Sequence, residues 1–134
     1  MINNAAYKKH NELVIFLHGI LKSSNQMQKI ERRFANSYDT LNLDYSARKY
    51  SISELADYIW QQIEKPISRY YKVHFVGFSL GAIIFRVLLA RYPIDNLGRV
   101  VQLAPPNKGS EIADLLQHFW LYKIFCGPAG AELG

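Results

Sequence analysis

Residues 73–82 read VHFVGFSLGA. An apolar run with one histidine in it passes through Gly77-Phe78-Ser79-Leu80-Gly81. Beyond it, Leu80, Ile83, Ile84, Val87 and Leu88 recur at helical spacing until Pro93 closes the segment. A strand that feeds directly into a helix must turn within a residue or two, and the residue at the apex is held in strained backbone geometry. Neighbours without a Cβ let the chain make that turn. Gly77 and Gly81 are those neighbours, so Ser79 is expected at the apex, beside the free N–H groups of a helix N-terminus.

Outward from this stretch the same order repeats. Strand-like runs fall at Leu13–Leu17, Thr40–Leu43, Val73–Val76 and Arg99–Leu103, and each precedes a segment of helical period. Ser23-x-x-Gln26 has the form of a capping box ahead of Met27, Ile30 and Phe34. Ser51-x-x-Glu54 has the same form ahead of Ile52, Leu55, Ala56, Ile59 and Ile63, and Pro66 is expected to kink or end that helix. Ser110 is placed to cap a last helix through Ile112, Leu115, Leu116 and Phe119. Four strand–helix alternations without a hairpin signal predict an α/β fold, a doubly wound parallel sheet in one domain over residues 1–134. The third and fourth strands are apolar through most of their length, as expected of strands buried on both faces.

Composition narrows the function classes. The chain has 134 residues, 49% of them hydrophobic, which is enough for one core. Its net charge of +5 is spread as short pairs such as Lys8-Lys9 and Arg32-Arg33. No zinc-ligand spacing, RNA-binding motif or basic helix accompanies that charge, so no nucleic-acid partner is expected. The opening MINNAAYKKHNE lacks the apolar core of a signal peptide, and no apolar run approaches the length of a transmembrane segment. With Cys126 as the single cysteine, a cytoplasmic location is expected.

In a parallel α/β sheet the ligand site lies beyond the carboxyl ends of the strands. His18-Gly19-Ile20 ends the first strand, and Gly19 would let the chain bend so that a backbone N–H faces Ser79. An oxyanion needs two donors about 3 Å away, and the natural pair is the N–H groups of Ile20 and Leu80. His18 is read as a side chain that positions this loop, and Asp44 as a loop or cap residue. LAPPNKGS, residues 103–110, could wall one side of a pocket or simply connect strand to helix.

VIFLHGI, VHFVGFSLGA and LAPPNKGS, in this order with strand–helix units between them, resemble the α/β-hydrolase superfamily, most closely its bacterial lipase and esterase branch. The resemblance spans about residues 13–126. It implies that Ser79 attacks a carbonyl as catalytic nucleophile, with Ile20 and Leu80 forming the oxyanion hole and His18, Gly19, Gly77 and Gly81 supporting them. It also implies no cofactor and no metal. The expected substrate is a small-molecule ester; Ile20, Leu21, Phe78 and Leu80 favour an apolar acyl part, and thioesters and amides use the same turn.

The histidine is harder to assign. In α/β-hydrolases the triad runs serine, acid, histidine along the chain. Of four histidines only His118 follows Ser79, and with Asp114 it falls on the polar face of the last predicted helix. His74 lies within the third strand, pointing into a core layer. The acid and histidine segments of the family are therefore expected to be missing, the sheet being truncated after its fourth strand–helix unit. The 134 residues alone are expected to be close to inactive, and the complete protein an esterase. The alternative is a truncated or degenerate domain that binds a ligand or partner without turnover. A dinucleotide-binding domain is excluded, because no Gly-x-Gly-x-x-Gly follows the first strand.

Overall fold

The computed structural model describes residues 8–19, 22–47 and 50–103. The first strand, β1 (Glu12–Leu17), is followed by a 3-10 turn (Ser24–Met27) that runs into α1 (Gln28–Phe34). Then come β2 (Asp39–Leu43), α2 (Ile52–Ile67), β3 (Lys72–Phe78), α3 (Leu80–Arg91) and β4 (Leu97–Leu103). Every strand pairing is parallel and the sheet order is β2-β1-β3-β4.

Strand periodicity divides the core into two layers. Leu13, Ile15 and Leu17 of β1, with Val73 and Phe75 of β3, pack against Leu55, Ile59 and Ile63 of α2 and Ile84, Phe85 and Leu88 of α3. Val14, Phe16 and Val76 face the other way, against Met27, Ile30 and Phe34. Helices thus cover both faces, which is the doubly wound α/β arrangement the alternating pattern implies.

Local chemistry explains most element ends. The Ser51 hydroxyl accepts from the Glu54 N–H at 3.1 Å while the Glu54 carboxylate accepts from the Ser51 N–H at 3.0 Å, so the second capping box forms in full. Pro66 sits in the last turn of α2, which stops one residue later. Tyr92 is extended, as the residue before a proline tends to be, and α3 ends at Arg91.

Three expectations are corrected. Ser23 caps only the 3-10 turn, its hydroxyl accepting from the Asn25 N–H at 3.3 Å, and Gln26 does not reach back to it. β4 is half-exposed rather than buried on both faces, with Val101 44% exposed. Val101 pairs with Val76 and shares its face, and among the described residues α1 packs chiefly on β2. His74 is half-buried at the amino end of β3, away from the deep core. Its Nε2–H donates to Glu12 Oε1 at 2.6 Å and its Nδ1 accepts from the Arg99 N–H at 2.9 Å.

A polar fastening closes the end of the sheet remote from Ser79. The buried Asp39 carboxylate accepts from the N–H groups of Lys9 and His10 and from the Tyr70 hydroxyl, the last at 2.7 Å. Burial first, and then the bond to Asp39, push the Tyr70 phenol well above its ordinary range, so it stays a donor.

Candidate functional site

The carboxyl ends of β1 and β3 lie side by side, with Leu17 in register with Gly77. The strand order reverses between them, since β1 has β2 on one side and β3 on the other. A crevice at such a point is where open α/β sheets bind ligands.

Ser79 follows β3 directly and has φ 53° and ψ −113°. It is the single non-glycine residue with positive φ among the described residues. An L-residue in this region costs about 1–3 kcal/mol and persists when its surroundings over-determine it. Here they do. The Ser79 N–H donates to the Leu103 carbonyl at 2.9 Å, and its own carbonyl accepts from the Ala82 and Ile83 N–H groups at 3.0 and 3.3 Å. Ser79 is thus the N-cap residue of α3, yet its hydroxyl makes no capping bond. Serine at an N-cap ordinarily spends its oxygen on the first helical turn. Half-buried, this one does not.

The flanking glycines make the turn possible by close approach. A Cβ on Gly77 would lie 2.7 Å from the Ala82 nitrogen, and one on Gly81 would run into the carbonyl oxygens of Leu17 and His18. The first turn of α3 is therefore pressed against the end of β1. The Leu80 N–H, at the first helical position, has no hydrogen-bond partner among the described residues, as expected of a helix-terminal donor. Ile20 and Leu21 lie outside the described residues, as do residues 104–134 with the Pro105-Pro106 segment, Ser110, Asp114, His118 and Cys126.

His18 is 2% exposed, with its ring stacked on Tyr45 at 4.2 Å between centroids. Its Nδ1–H donates to the Gly19 carbonyl at 2.8 Å, which leaves the Nε2 lone pair facing the Tyr45 N–H at 3.4 Å. Tyr45 returns a bond from its hydroxyl to the His18 carbonyl at 2.8 Å. Burial lowers the His18 pKa, and the opposing effects of the Gly19 carbonyl and Asp44 are smaller. At neutral pH the ring is uncharged, so its 3.7 Å approach to Asp44 is not an ion pair.

Asp44 accepts from the Ser24 N–H at 2.6 Å and from the Ser24 hydroxyl at 2.8 Å, and so holds the start of the 3-10 turn. Burial opposes its ionisation, but the two Ser24 bonds and His18 together keep its carboxyl below the ordinary value. Gln26 is the residue that its sequence pattern misassigned. Its Oε1 accepts from the Gly19 N–H at 2.8 Å, across the loop rather than along the helix. Beside it a shallow cavity of about 570 Å³ is lined by Lys22, Ser23, Asn25 and Gln26.

Chemically, these residues present an uncapped serine hydroxyl and an unpaired helix-terminal N–H at one strand end, with a braced loop beside them. Neither described histidine with an assigned ring contact can serve Ser79 as it stands: His18 has both ring nitrogens committed, and His74 is at the far end of β3. Among the described residues no group of three His, Cys, Asp or Glu side chains could hold a metal ion. Among them, too, no helix is long and apolar enough to cross a membrane.

The parallel sheet and the serine turn at its carboxyl end are those of an α/β-hydrolase. Residues 13–126 match the sequence model of the family described as palmitoyl protein thioesterase, and the chain belongs to that family. No curated protein matches it. Similar solved structures include an esterase from Exiguobacterium antarcticum, at 18% identity and a TM-score of 0.65, covering 85% of this chain and 50% of the other. An epoxide hydrolase from Bacillus megaterium is 20% identical with a TM-score of 0.67, covering 87% and 46%. A thermophilic esterase from Thermogutta terrifontis is 11% identical with a TM-score of 0.64, covering 87% and 46%. The chain spans about half the length of these structures.

Proposed function

We propose that Ser79 is the nucleophile of an acyl-transfer hydrolase that cleaves esters or thioesters with an apolar acyl part. The observation that carries this reading is the conformation of Ser79: positive φ in a non-glycine residue, at an N-cap whose hydroxyl caps nothing. Strain of that kind is retained where the side chain must be exposed at a fixed point. The family's description, palmitoyl protein thioesterase, supports a thioester as readily as an oxygen ester.

In the proposed mechanism the Ser79 hydroxyl attacks the substrate carbonyl and gives its proton to a histidine outside the described residues. The negative charge that develops on the carbonyl oxygen is taken by the N–H groups of Leu80 and Ile20. The first turn of α3 adds its dipole on the same side. Collapse expels the thiol or alcohol, which takes the proton from the histidine. Water then repeats the sequence on the acyl-enzyme and releases the acid. No step calls for a cofactor or metal. His18 acts in this scheme as a support, since its ring is neutral and fully occupied. The single cysteine supports work in a reducing, cytoplasmic setting.

The test is labelling of the protein, at the full length its gene encodes, with a fluorophosphonate probe. Covalent labelling that disappears in Ser79→Ala is expected. Without a base, turnover in a serine hydrolase falls by about 10⁶. Failure of the wild-type protein to label would therefore replace the enzyme with a domain that binds without turnover.

A further inference from the structure

We infer that His74 is a positioning residue for the nucleophile, on the acyl-transfer function proposed for Ser79: its ring holds a bulge in β4, and the bulge sets the register that brings the Leu103 carbonyl to the Ser79 N–H. The pairing of β3 with β4 breaks at one point. Val73 pairs with Leu97, but Phe75 pairs with Val100, so His74 faces two residues, Gly98 and Arg99. Bulges are rare between parallel strands, and they are over-represented beside active sites, where they re-aim the strand.

The bulge changes what β4 presents on each face. Leu97 and Val100 both pack on the layer of α2 and α3, although residues three apart in a regular strand point to opposite faces. Beyond the break Leu103 packs on the other layer, with Val76 and Phe78. From Phe75 the register runs unbroken: Val76 pairs with Val101, Gly77 with Gln102 and Phe78 with Leu103. The next bond is that of the nucleophile, whose N–H donates to the Leu103 carbonyl at 2.9 Å. Without the extra residue, the pairing of Val73 with Leu97 would carry through to set Phe78 opposite Gln102. Arg99 would then stand opposite Phe75, a charged side chain in the place of Val100.

His74 supplies what the bulge removes. A bulge takes its extra residue out of the ladder, and here the Arg99 N–H donates to His74 Nδ1 at 2.9 Å. A backbone N–H can only donate, so Nδ1 is the unprotonated nitrogen, and Nε2–H donates to Glu12 Oε1 at 2.6 Å. Glu12 of β1 thereby fixes the tautomer that β4 requires. The ring lies tight over the bulge: a Cβ on Gly98 would run into it, and it stands edge-on to the Tyr38 ring at 5.7 Å between centroids. One clip thus joins β1, β3 and β4 at the end of the sheet remote from Ser79. The ladder from Phe75 to Phe78 carries its setting to the serine turn.

The experiment compares wild type with His74→Leu, which fills similar space without an acceptor, and with His74→Asn, whose amide oxygen stands at the place of Nδ1. Thioester turnover is measured on the full-length protein, together with amide exchange at Arg99, Ser79 and, for reference, Ile15. A displacement of about 1 Å at a reacting group, caused far from the chemistry, can cost about 10² in rate. His74→Leu should lower kcat about 10- to 100-fold with little change in KM, and should quicken exchange at Arg99 and Ser79 relative to Ile15. His74→Asn should recover most of both losses. Should His74→Leu not fold, Gly98→Ala, whose methyl drives the ring off Arg99, carries the same expectation. Ser51→Ala serves as a control that weakens the fold far from this clip and leaves kcat unchanged.

A merely structural His74 would quicken Arg99 exchange and leave Ser79 as it is. A Leu variant whose kcat or Ser79 exchange matches wild type therefore overturns the inference, as does an Asn variant as impaired as the Leu variant. Wild-type protein that neither labels with a fluorophosphonate nor turns over the thioester overturns the function proposed for Ser79. The two failures are distinct, because exchange at Ser79 scores the register even in protein without turnover.

Discussion

At Ser79 the backbone holds a conformation that glycine would adopt without cost, φ 53° and ψ −113°. A substitution pair separates the strain from the chemistry. Ser79→Gly should be more stable than Ser79→Ala by about 1–3 kcal/mol in urea denaturation, less whatever glycine loses in unfolded-chain entropy. Neither variant should label with a fluorophosphonate. Equal stability of the two would mean that the turn is not strained and that the free hydroxyl has a simpler cause. The position of Ser79 was legible because the two glycines and the flanking periodicities leave few other places for a serine. The partner of Gln26 was not. A hydrogen bond from a helix start to a loop seven residues earlier depends on how the loop folds back, and the local pattern Ser-x-x-Gln is identical in both outcomes.

Elements are where sequence and structure agree best, and the reasons are local. Two capping boxes share one pattern, yet only that of α2 closes, because Glu54 turns back to the Ser51 N–H while the Gln26 side chain is taken by the Gly19 N–H. Ser51→Ala should accordingly cost about 1 kcal/mol, seen as a lower urea midpoint with unchanged slope. Gly77→Ala should cost about 1–3 kcal/mol, because the added methyl meets backbone atoms of α3 that have no rotamer to change. A urea midpoint for Gly77→Ala equal to wild type would show that α3 can shift away from β3. The half-exposure of β4 could not be read from its apolar run. The same residues suit a strand covered on one face or on two, and coverage is decided by tertiary packing rather than by the run itself.

For the molecule as a whole, pH enters through a ring that is buried uncharged. Burial holds the folded-state pKa of His18 below its ordinary value of 6.5. The unfolded chain therefore binds the extra proton first as pH falls, and stability drops where that happens. The His18 contribution is complete above about pH 6.5 and is lost progressively below it, down through the lowered folded value. Asp44 adds a second loss of the same sign further down, below its ordinary value of 3.8. Urea midpoints should fall between about pH 7.5 and pH 5.5, and His18→Asn should shrink that difference. An undiminished difference in the variant would assign the effect to other groups.

The sheet order also bears on how the chain is made. Synthesis delivers β1, then β2 on one side of it, and then a sixteen-residue helix before β3 arrives to take the other side. Until residue 78 has left the ribosome, β1 keeps an unsatisfied row of peptide groups along the flank that β3 will occupy. Leu13, Ile15 and Leu17 meanwhile lack Val73, Phe75 and all of α3 beneath them. A nascent chain paused in α2 would be sticky along that flank, and a folding assistant that shields extended apolar segments would find its longest hold there. The strand that completes β1 is also the strand that leads into Ser79, so the serine turn is built in the same step that covers the open flank of β1.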